Sequence, residues 1–563
     1  MNVEKTPIAG LLVVHLDVHE DERGWFKENW QREKMVGAGV PDFGPVQNNI
    51  SFNAEKGVTR GLHAEPWDKF VSVATGEVFG AWVDLREGSP TYHQQFTVTV
   101  TPGAAVFVPR GVANGFQATV DNTAYTYLVN DHWKPDAQYY FVNLKEVTTW
   151  PIPLDRAIIS EKDVHHPGLA EATPVPAKRP LIIGGTGQLG KALITLLPDA
   201  LVTVRGALDL TQPPEAPDVM ALPQAGRVHH LDIANEQEIC DLPWDQVSVV
   251  INAAGYTNVD KAEGSGRKVA WQVNAVAPGV IAREAAKHRV PMVHISTDYV
   301  FDGRTSAPAP TGTNAAPAPT GGYRETDAVC PLGVYGQSKA AGEIAVAAAN
   351  PRHWIVRTSW VVGEGNNFVR TMARLARENA AAAGAAAPGT QQPAEPNPVR
   401  VVNDQVGRLT FAEDLAAGIL HLAGIMPASS AVAGSAAPAT GSAAPATGSA
   451  APATGSAAPA TGPAGSAAPA TGPAGSAAPY GLYNLTNAGT PASWADIAKL
   501  VFELTGHDPA QVIPVTTEEY ASQAAQKAAP RPRNSVLDLQ KLESTGFVVP
   551  DWRGRLIETL TAS

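Results

Sequence analysis

The run Leu181-Ile-Ile-Gly-Gly-Thr-Gly-Gln-Leu-Gly constrains the fold of this chain more than any other stretch. A short apolar run that ends in Gly-x-x-Gly-x-x-Gly, at Gly184, Gly187 and Gly190, reads as a buried strand, a tight turn and a helix start. Glycines in such a turn let backbone N–H groups approach a pyrophosphate at the positive end of the helix. Further apolar strands follow at Val247-Ser-Val-Val-Ile-Asn, Met292-Val-His-Ile-Ser and Trp354-Ile-Val-Arg, with alanine-rich helical segments between them. Strands alternating with helices predict an α/β Rossmann-type, doubly wound parallel sheet.

The first 155 or so residues follow a different rule. Val71-Ser-Val-Ala, Val78-Phe-Gly-Ala-Trp-Val-Asp, Gln95-Phe-Thr-Val-Thr-Val and Ala105-Val-Phe-Val read as short strands. Turns are expected at Gly76-Glu77, Gly88-Ser89-Pro90, Pro102-Gly103 and Arg110-Gly111. Many short strands predict an all-β barrel or jelly roll, so the chain is multidomain. The expected boundaries are a first domain at 1–170, a linker at 171–179 and a second domain at 180–563. Three Ala/Pro/Gly/Thr-rich segments, near 305–321, 379–398 and 427–479, belong to neither core. The last carries Gly-Ser-Ala-Ala-Pro-Ala-Thr in tandem, and a proline in every repeat excludes a coiled coil. All three are expected to be disordered insertions in loops, since they offer too little apolar surface to offset the entropy of ordering them.

Net charge is −12, from 42 Lys plus Arg against 54 Asp plus Glu, which argues against nucleic acid and gives no basic membrane patch. The two cysteines, Cys240 and Cys330, imply no disulfide framework. Without a signal-peptide core in the first residues or an apolar run long enough to span a bilayer, the expected compartment is the cytoplasm.

In the second half the chemistry gathers at Ile295-Ser-Thr-Asp-Tyr-Val-Phe-Asp-Gly and Tyr335-Gly-Gln-Ser-Lys. Tyr335 and Lys339 share one face of a helix. An ammonium beside a tyrosine favours phenolate and eases proton donation, which reduction of a ketone requires. Thr297, at a strand end, is the natural hydroxyl partner. Arg205, after the strand Leu201–Val204, suits the 2′-phosphate of NADP, with a solvated surface residue as the alternative. Asp232 and Ile233 stand where an adenine edge is bound. Asn252 ends a strand on the ligand side of the sheet or is simply a turn former.

These motifs, in this order, make residues 180–563 resemble dTDP-4-dehydrorhamnose reductase, an extended short-chain dehydrogenase, which implies a smaller substrate-binding lobe beside the parallel sheet. Gly184–Gly190, Asn252–Glu263, Ser296-Thr-Asp, Pro331–Lys339, Arg357-Thr-Ser-Trp and Arg531-Pro-Arg-Asn-Ser carry the likeness. The resemblance implies Thr297, Tyr335 and Lys339 as catalytic residues. It implies Gly184, Gly187, Gln188, Leu189, Gly190, Arg205, Asp232, Ile233, Asn252, Ala253, Ala254, Tyr335 and Lys339 at the cofactor. Trp360, Asn367 and Arg531 or Arg533 would lie near a sugar nucleotide, as would Asp404-Gln405. The implied cofactor is NADPH, with NADH as the other candidate, and a need for Mg2+ is left open.

In the first half His63 is a base, a metal ligand or a packed histidine. It has no second histidine at i+2, so no metal is expected. Arg23, Arg60 and Lys69 are strongly basic for a barrel interior, and a diphosphate would explain them. Arg23-Gly-Trp-Phe-Lys-Glu, Gln47-Asn-Asn, Arg60-Gly-Leu-His, Val83-Asp-Leu-Arg, Pro109–Phe116 and Ile159-Ser-Glu-Lys-Asp make residues 1–170 resemble dTDP-4-dehydrorhamnose 3,5-epimerase, a cupin-like jelly roll. The resemblance implies His63 as base, Asp163 as its partner, Tyr127 as the opposing acid and Lys69 at the enolate oxygen. Arg23, Phe26, Glu28, Gln47, Asn49, Arg60 and Asn114 are the implied substrate contacts. Asn114 stands where the family has histidine, and Trp133 where it has a second tyrosine. The favoured reading is a bifunctional enzyme that epimerises, then reduces, a dTDP-4-keto-deoxyhexose, as a homodimer through the first domain. The alternatives are a reductase fused to a non-catalytic sugar-nucleotide-binding module, and a second half without turnover. UDP in place of dTDP stays open.

Overall fold

The computed structural model describes residues 1–133, 137–205, 227–304, 322–384, 398–426, 477–522 and 528–561, with side chains described throughout except at 381–384. The chain divides into two units, Met1–Ala177 and Lys178–Ser563.

The first unit is two antiparallel sheets. One has the order Asn2–Lys5, Leu12–His15, Ala104–Val108, Lys69–Thr75, Thr123–Val129 and Gln47–Asn53. The other runs Tyr140–Phe141, Val58–Ala64, Val112–Ala118, Val78–Asp84 and Gln95–Val100, and Ile158–Ile159 joins Val58–Ala64 in parallel. Side chains alternate across each strand, so Val71, Val73, Trp82, Val106 and Phe116 meet in one core. All four runs expected as strands are strands. The turns at Gly76 and Gly111 need a left-handed backbone, with φ of +80° and +82°.

The second unit is built on seven parallel strands in the order Val228–His230, Leu201–Val204, Arg179–Ile183, Val247–Asn252, Met292–Thr297, His353–Thr358 and Gly481–Asn484. One apolar layer packs helices Gln188–Leu196 and Ala412–Ala423 on the sheet, and a second packs Ala277–Lys287 and Val346 of the helix Val334–Ala349. The strand order reverses between Arg179–Ile183 and Val247–Asn252, and ligands of such sheets bind at that crevice. A smaller lobe has its own core of Val369, Phe411, Phe502, Val512 and Trp552.

Three expected boundaries move. The linker set at 171–179 is largely structured. Val175 is buried and its backbone exchanges bonds with Leu85 and Glu87, while Arg179 already belongs to the sheet. The segment set at 379–398 begins as the end of the helix Phe368–Gly384, in keeping with the high helix propensity of alanine. At the end of the longest segment, Ala478 bonds Leu422 and accepts from the Trp354 indole. Residues 305–321, 385–397 and 427–476 lie outside the described residues. No helix among the described residues is long and apolar enough to cross a membrane.

Candidate active sites

In the second unit, the glycine turn, Thr297, Tyr335 and Lys339 line one cavity of ≈ 910 Å³. Gly184 sits at φ +91°, and a Cβ there would meet the Ala254 backbone at 2.9 Å. A Cβ on Gly190 would come within 2.2 Å of the Gly184 carbonyl. Gly190 therefore lets the helix close on the turn and does not itself line the cavity. Gly187 caps the helix Gln188–Leu196 without a side-chain hydrogen bond, so its first N–H groups stay available to an anion. Gln188, Leu189, Arg205, Asp232, Ile233, Ala253 and Ala254 line the same cavity. Asn252 is buried beneath it, accepting from Ala254 N at 3.2 Å and facing His294 at 3.3 Å.

Tyr335 and Lys339 project from the first turns of the helix Val334–Ala349. A buried ion pair ties that helix to the sheet: Arg357 donates to Glu343 at 2.7 and 2.9 Å. The expected activation of Tyr335 by Lys339 takes a different form. Lys339 Nζ donates to the Ile295 carbonyl, and burial brings its pKa down to about 8, with Glu343 opposing. Burial pushes the Tyr335 hydroxyl up to about 12, the Asp298 carboxylate adds to this, and a hydrogen bond with Thr297 works against it. Tyr335 is thus held as a protonated donor. Thr297 Oγ1 donates to Asp298 Oδ1 at 3.0 Å and accepts from the Tyr299 N–H at 3.2 Å.

Asp298 was not among the expected site residues. Burial raises its carboxyl to about 6, against hydrogen bonds from Ser535 and Thr297. A carboxyl raised from 3.8 to about 6 by folding stabilises the fold below 3.8, and that contribution is lost as pH rises through about 6. At neutral pH the cost is roughly 3 kcal/mol. Asp298→Asn is therefore expected to raise the melting temperature by a few degrees at pH 8, with the difference vanishing at pH 4. Equal shifts at both pH values would contradict this.

Trp360 lines the cavity with a backbone φ of +47°. Its ring stacks on Trp494, centroids 3.8 Å apart, while a Cβ on Gly407 would come within 2.8 Å of it. The ring is held in a slot, and Trp494 is a second residue that motif reading missed. Arg531 and Arg533 do not line the cavity. Arg531 pairs with Asp260 at 2.9 Å and lies by Tyr299, whose ring meets Tyr335 edge-on. Arg533 is exposed, 3.8 Å from Glu518. Asn367 bonds the Gly363 carbonyl, and Asp404 bonds Thr517, so both serve local structure.

In the first unit, a cavity of ≈ 520 Å³ is lined by Arg60, His63, Lys69, Asn114, Tyr127 and Asp163, among others. Strand Val58–Ala64 carries Arg60 and His63, and the short helix Glu161–Val164 delivers Asp163. His63 Nε2 lies 2.9 Å from Asp163 Oδ1, and Gly61 N–H donates to the other oxygen at 3.2 Å. Burial alone would raise Asp163, but the hydrogen bond and charge of His63 bring it below the usual range. A carboxylate on Nε2 fixes the N–H there and leaves Nδ1 as the proton acceptor. Burial pushes Tyr127 up to about 12, with the Glu65 charge adding and Arg60 opposing. Lys69 pairs with Glu65 at 2.8 Å, both largely buried, and its ammonium sits 5.6 Å over the Tyr127 ring. Glu65 also went unread in the sequence. Asn114 lies opposite His63 in the sheet and accepts from Tyr125 at 3.3 Å.

The remaining expected substrate contacts are not gathered here. Gln47 bonds Asn49 at 2.8 Å on the edge strand beside Tyr127, and neither lines the cavity. Arg23 and Phe26 lie on the hairpin Val18–Asp21/Gly24–Lys27, Arg23 bonded to Asp21 and Phe26 66% exposed, while Glu28 pairs with Lys34. Trp133 is exposed and donates its N–H to Gln47.

The family model described as dTDP-4-dehydrorhamnose 3,5-epimerase matches residues 5–171, and the RmlD substrate binding domain model matches 178–386 and 467–563. A protein RmlC homolog from Streptococcus pyogenes serotype M6 is 48% identical over 30% of this chain and 90% of its own length. The dTDP-4-dehydrorhamnose reductase of Aggregatibacter actinomycetemcomitans is 30% identical over 67% of this chain and 97% of its own length. The solved structure of RmlC from Streptococcus suis in complex with dTDP-D-xylose is 46% identical, over 31% of this chain and 94% of that one, with a TM-score of 0.29. The chain therefore belongs to the dTDP-4-dehydrorhamnose 3,5-epimerase family in its first unit and to the RmlD family of dTDP-4-dehydrorhamnose reductases in its second.

Proposed function

We propose that this chain performs two consecutive steps of dTDP-L-rhamnose synthesis: 3,5-epimerisation of dTDP-4-dehydro-6-deoxy-D-glucose, then NADPH-dependent reduction of its C4 ketone. The observation that carries this reading is the presence in one chain of a His–Asp pair sharing a cavity with a tyrosine and of a Thr–Tyr–Lys group beside a glycine turn.

A ketone at C4 acidifies the hydrogens at C3 and C5. His63 Nδ1 takes such a proton, Asp163 stabilises the imidazolium, and Lys69 faces the developing enolate oxygen. Tyr127 returns a proton from the opposite face and so inverts the centre. The helix start at Gly187 and the basic Arg205 fit a dinucleotide with a 2′-phosphate. When bound, NADPH would supply a hydride to C4. Thr297 then holds the C4 oxygen, Tyr335 protonates it, and Lys339 stabilises the tyrosinate that remains. The slot-held Trp360 covers the sugar.

A second copy of the chain is the proposed partner of the first unit. Phe26, Ile50 and Phe52 are 66%, 66% and 59% exposed, large apolar residues that a copy would cover. It would also give Arg23, Phe26 and Glu28 a cavity to serve. Both cysteines are free, in keeping with the cytoplasm.

The test is to supply the 4-keto sugar nucleotide and NADPH to the whole protein. The expected product is dTDP-L-rhamnose. Reduction to an unepimerised 6-deoxy-D-sugar would overturn the reading, as would absence of NADPH oxidation.

A further inference from the structure

We propose that His63, Asp163 and His166 form a site for a divalent transition-metal ion of the Zn2+ type, and that its occupancy switches the epimerase base off. The proposal rests on the epimerase reading of the first unit. One ligand atom from each of the three residues lies within 4.8 Å of the other two. His63 Nε2 is 2.9 Å and His166 Nε2 is 3.7 Å from the same Asp163 Oδ1. Tetrahedral Zn2+, with nitrogen and oxygen ligands at 2.0–2.2 Å, wants its ligand atoms about 3.4 Å apart. Movements of about 1 Å would close the set, with water completing it.

His166 is only partly bonded. Its Nδ1 is buried with no hydrogen-bond partner. Its ring bonds the Gly61 backbone and faces the Asp163 carboxylate oxygen at 3.7 Å, beyond hydrogen-bond reach. Phe141 stacks on the ring, centroids 4.6 Å apart, and fixes its plane. His63 stands edge-on to it at 5.2 Å. The His63 side chain is 32% exposed, so an ion can enter from the cavity.

The consequence for the reaction follows from the imidazole. Without metal, Nε2 carries the single proton toward Asp163 and Nδ1 is the base. A metal on Nε2 needs that lone pair. The proton moves through solvent to Nδ1, and Asp163 changes from hydrogen-bond acceptor to ligand. No electrons are exchanged and no bond to substrate is made. His63 then presents an N–H where the reaction needs a lone pair.

The test uses the untagged full chain, stripped with a chelator and titrated with Co2+ alone. The expected result is a visible absorption band of a low-symmetry Co2+ site that Zn2+ abolishes. His166→Gln and Asp163→Asn should each weaken it by an order of magnitude or more. In parallel, Zn2+ should suppress solvent-deuterium incorporation at C3 and C5, while NADPH oxidation on already epimerised ketone continues. His166→Gln, measured against its own metal-free rate, should require more than tenfold more Zn2+. No band in the unmodified protein, or equal Zn2+ sensitivity in His166→Gln, overturns the proposal. A first unit inactive without metal would instead show no deuterium exchange at all, with the Co2+ band still reporting on the site.

Discussion

Tyr335→Phe is expected to lower kcat for NADPH oxidation by about 10²–10⁴-fold, the usual worth of a positioned general acid, while deuterium exchange in the first unit stays unchanged. Burial and the Asp298 charge keep the Tyr335 hydroxyl near 12, so it is protonated across the working pH range. An alkoxide at C4 is far more basic than a tyrosinate, so the transfer runs downhill despite that value. Removing the oxygen leaves the helix intact, because the Tyr335 ring keeps its edge-on contact with Tyr299. KM for the sugar nucleotide should therefore change little. Lys339 adds a pH signature. Its pKa is brought down to about 8 by burial, so its charge is present below that pH and lost above it. In the proposed reduction that charge stabilises the tyrosinate, so kcat should fall as pH rises through about 8. A Tyr335→Phe enzyme within a factor of a few of the unmodified rate would remove tyrosine from the proton-donor role.

The parts of these sites that could be read from residue order are those where one short run fixes both backbone and chemistry. Gly184, Gly187 and Gly190 need strand, turn and helix in succession, and the sheet delivers all three. Tyr335 and Lys339 need only a helix. What escaped reading depends on which distant segments meet. Asp298 is one residue from Thr297, yet its buried state comes from the chain around it, including Ser535. Trp494 reaches Trp360 across 134 positions only because Gly407 leaves room behind the ring. His166 joins His63 through a helix one turn long. Arg23, Phe26 and Glu28 fail in the other direction. Their motif is present, but on an exposed hairpin that a single first unit does not bring to the His63 cavity. Boundaries drawn from composition also slipped, because alanine suits a helix as readily as a loop.

His63→Ala should abolish deuterium incorporation at C3 and C5, a loss of about 10²–10⁴-fold or more for removing a general base. It should also stop NADPH oxidation when the enzyme is given dTDP-4-dehydro-6-deoxy-D-glucose, although the reductase site is untouched. The two effects separate by choice of substrate. Given ketone already epimerised by another enzyme, His63→Ala should oxidise NADPH at the unmodified rate, since Thr297, Tyr335 and Lys339 lie in the second unit with their own cavity. Asp163→Asn should be milder and qualitatively different. An amide has one oxygen where the carboxylate offers two, so either Nε2 or the Gly61 N–H loses its acceptor, and the imidazolium loses its counter-charge. The helix Glu161–Val164 keeps its Ser160 cap on the residue-163 backbone, so the Asn variant should fold and lose rate. If His63→Ala still oxidised NADPH with the unepimerised sugar, the second site would be accepting the D-configured ketone. The two activities would then share a chain without forming a sequence.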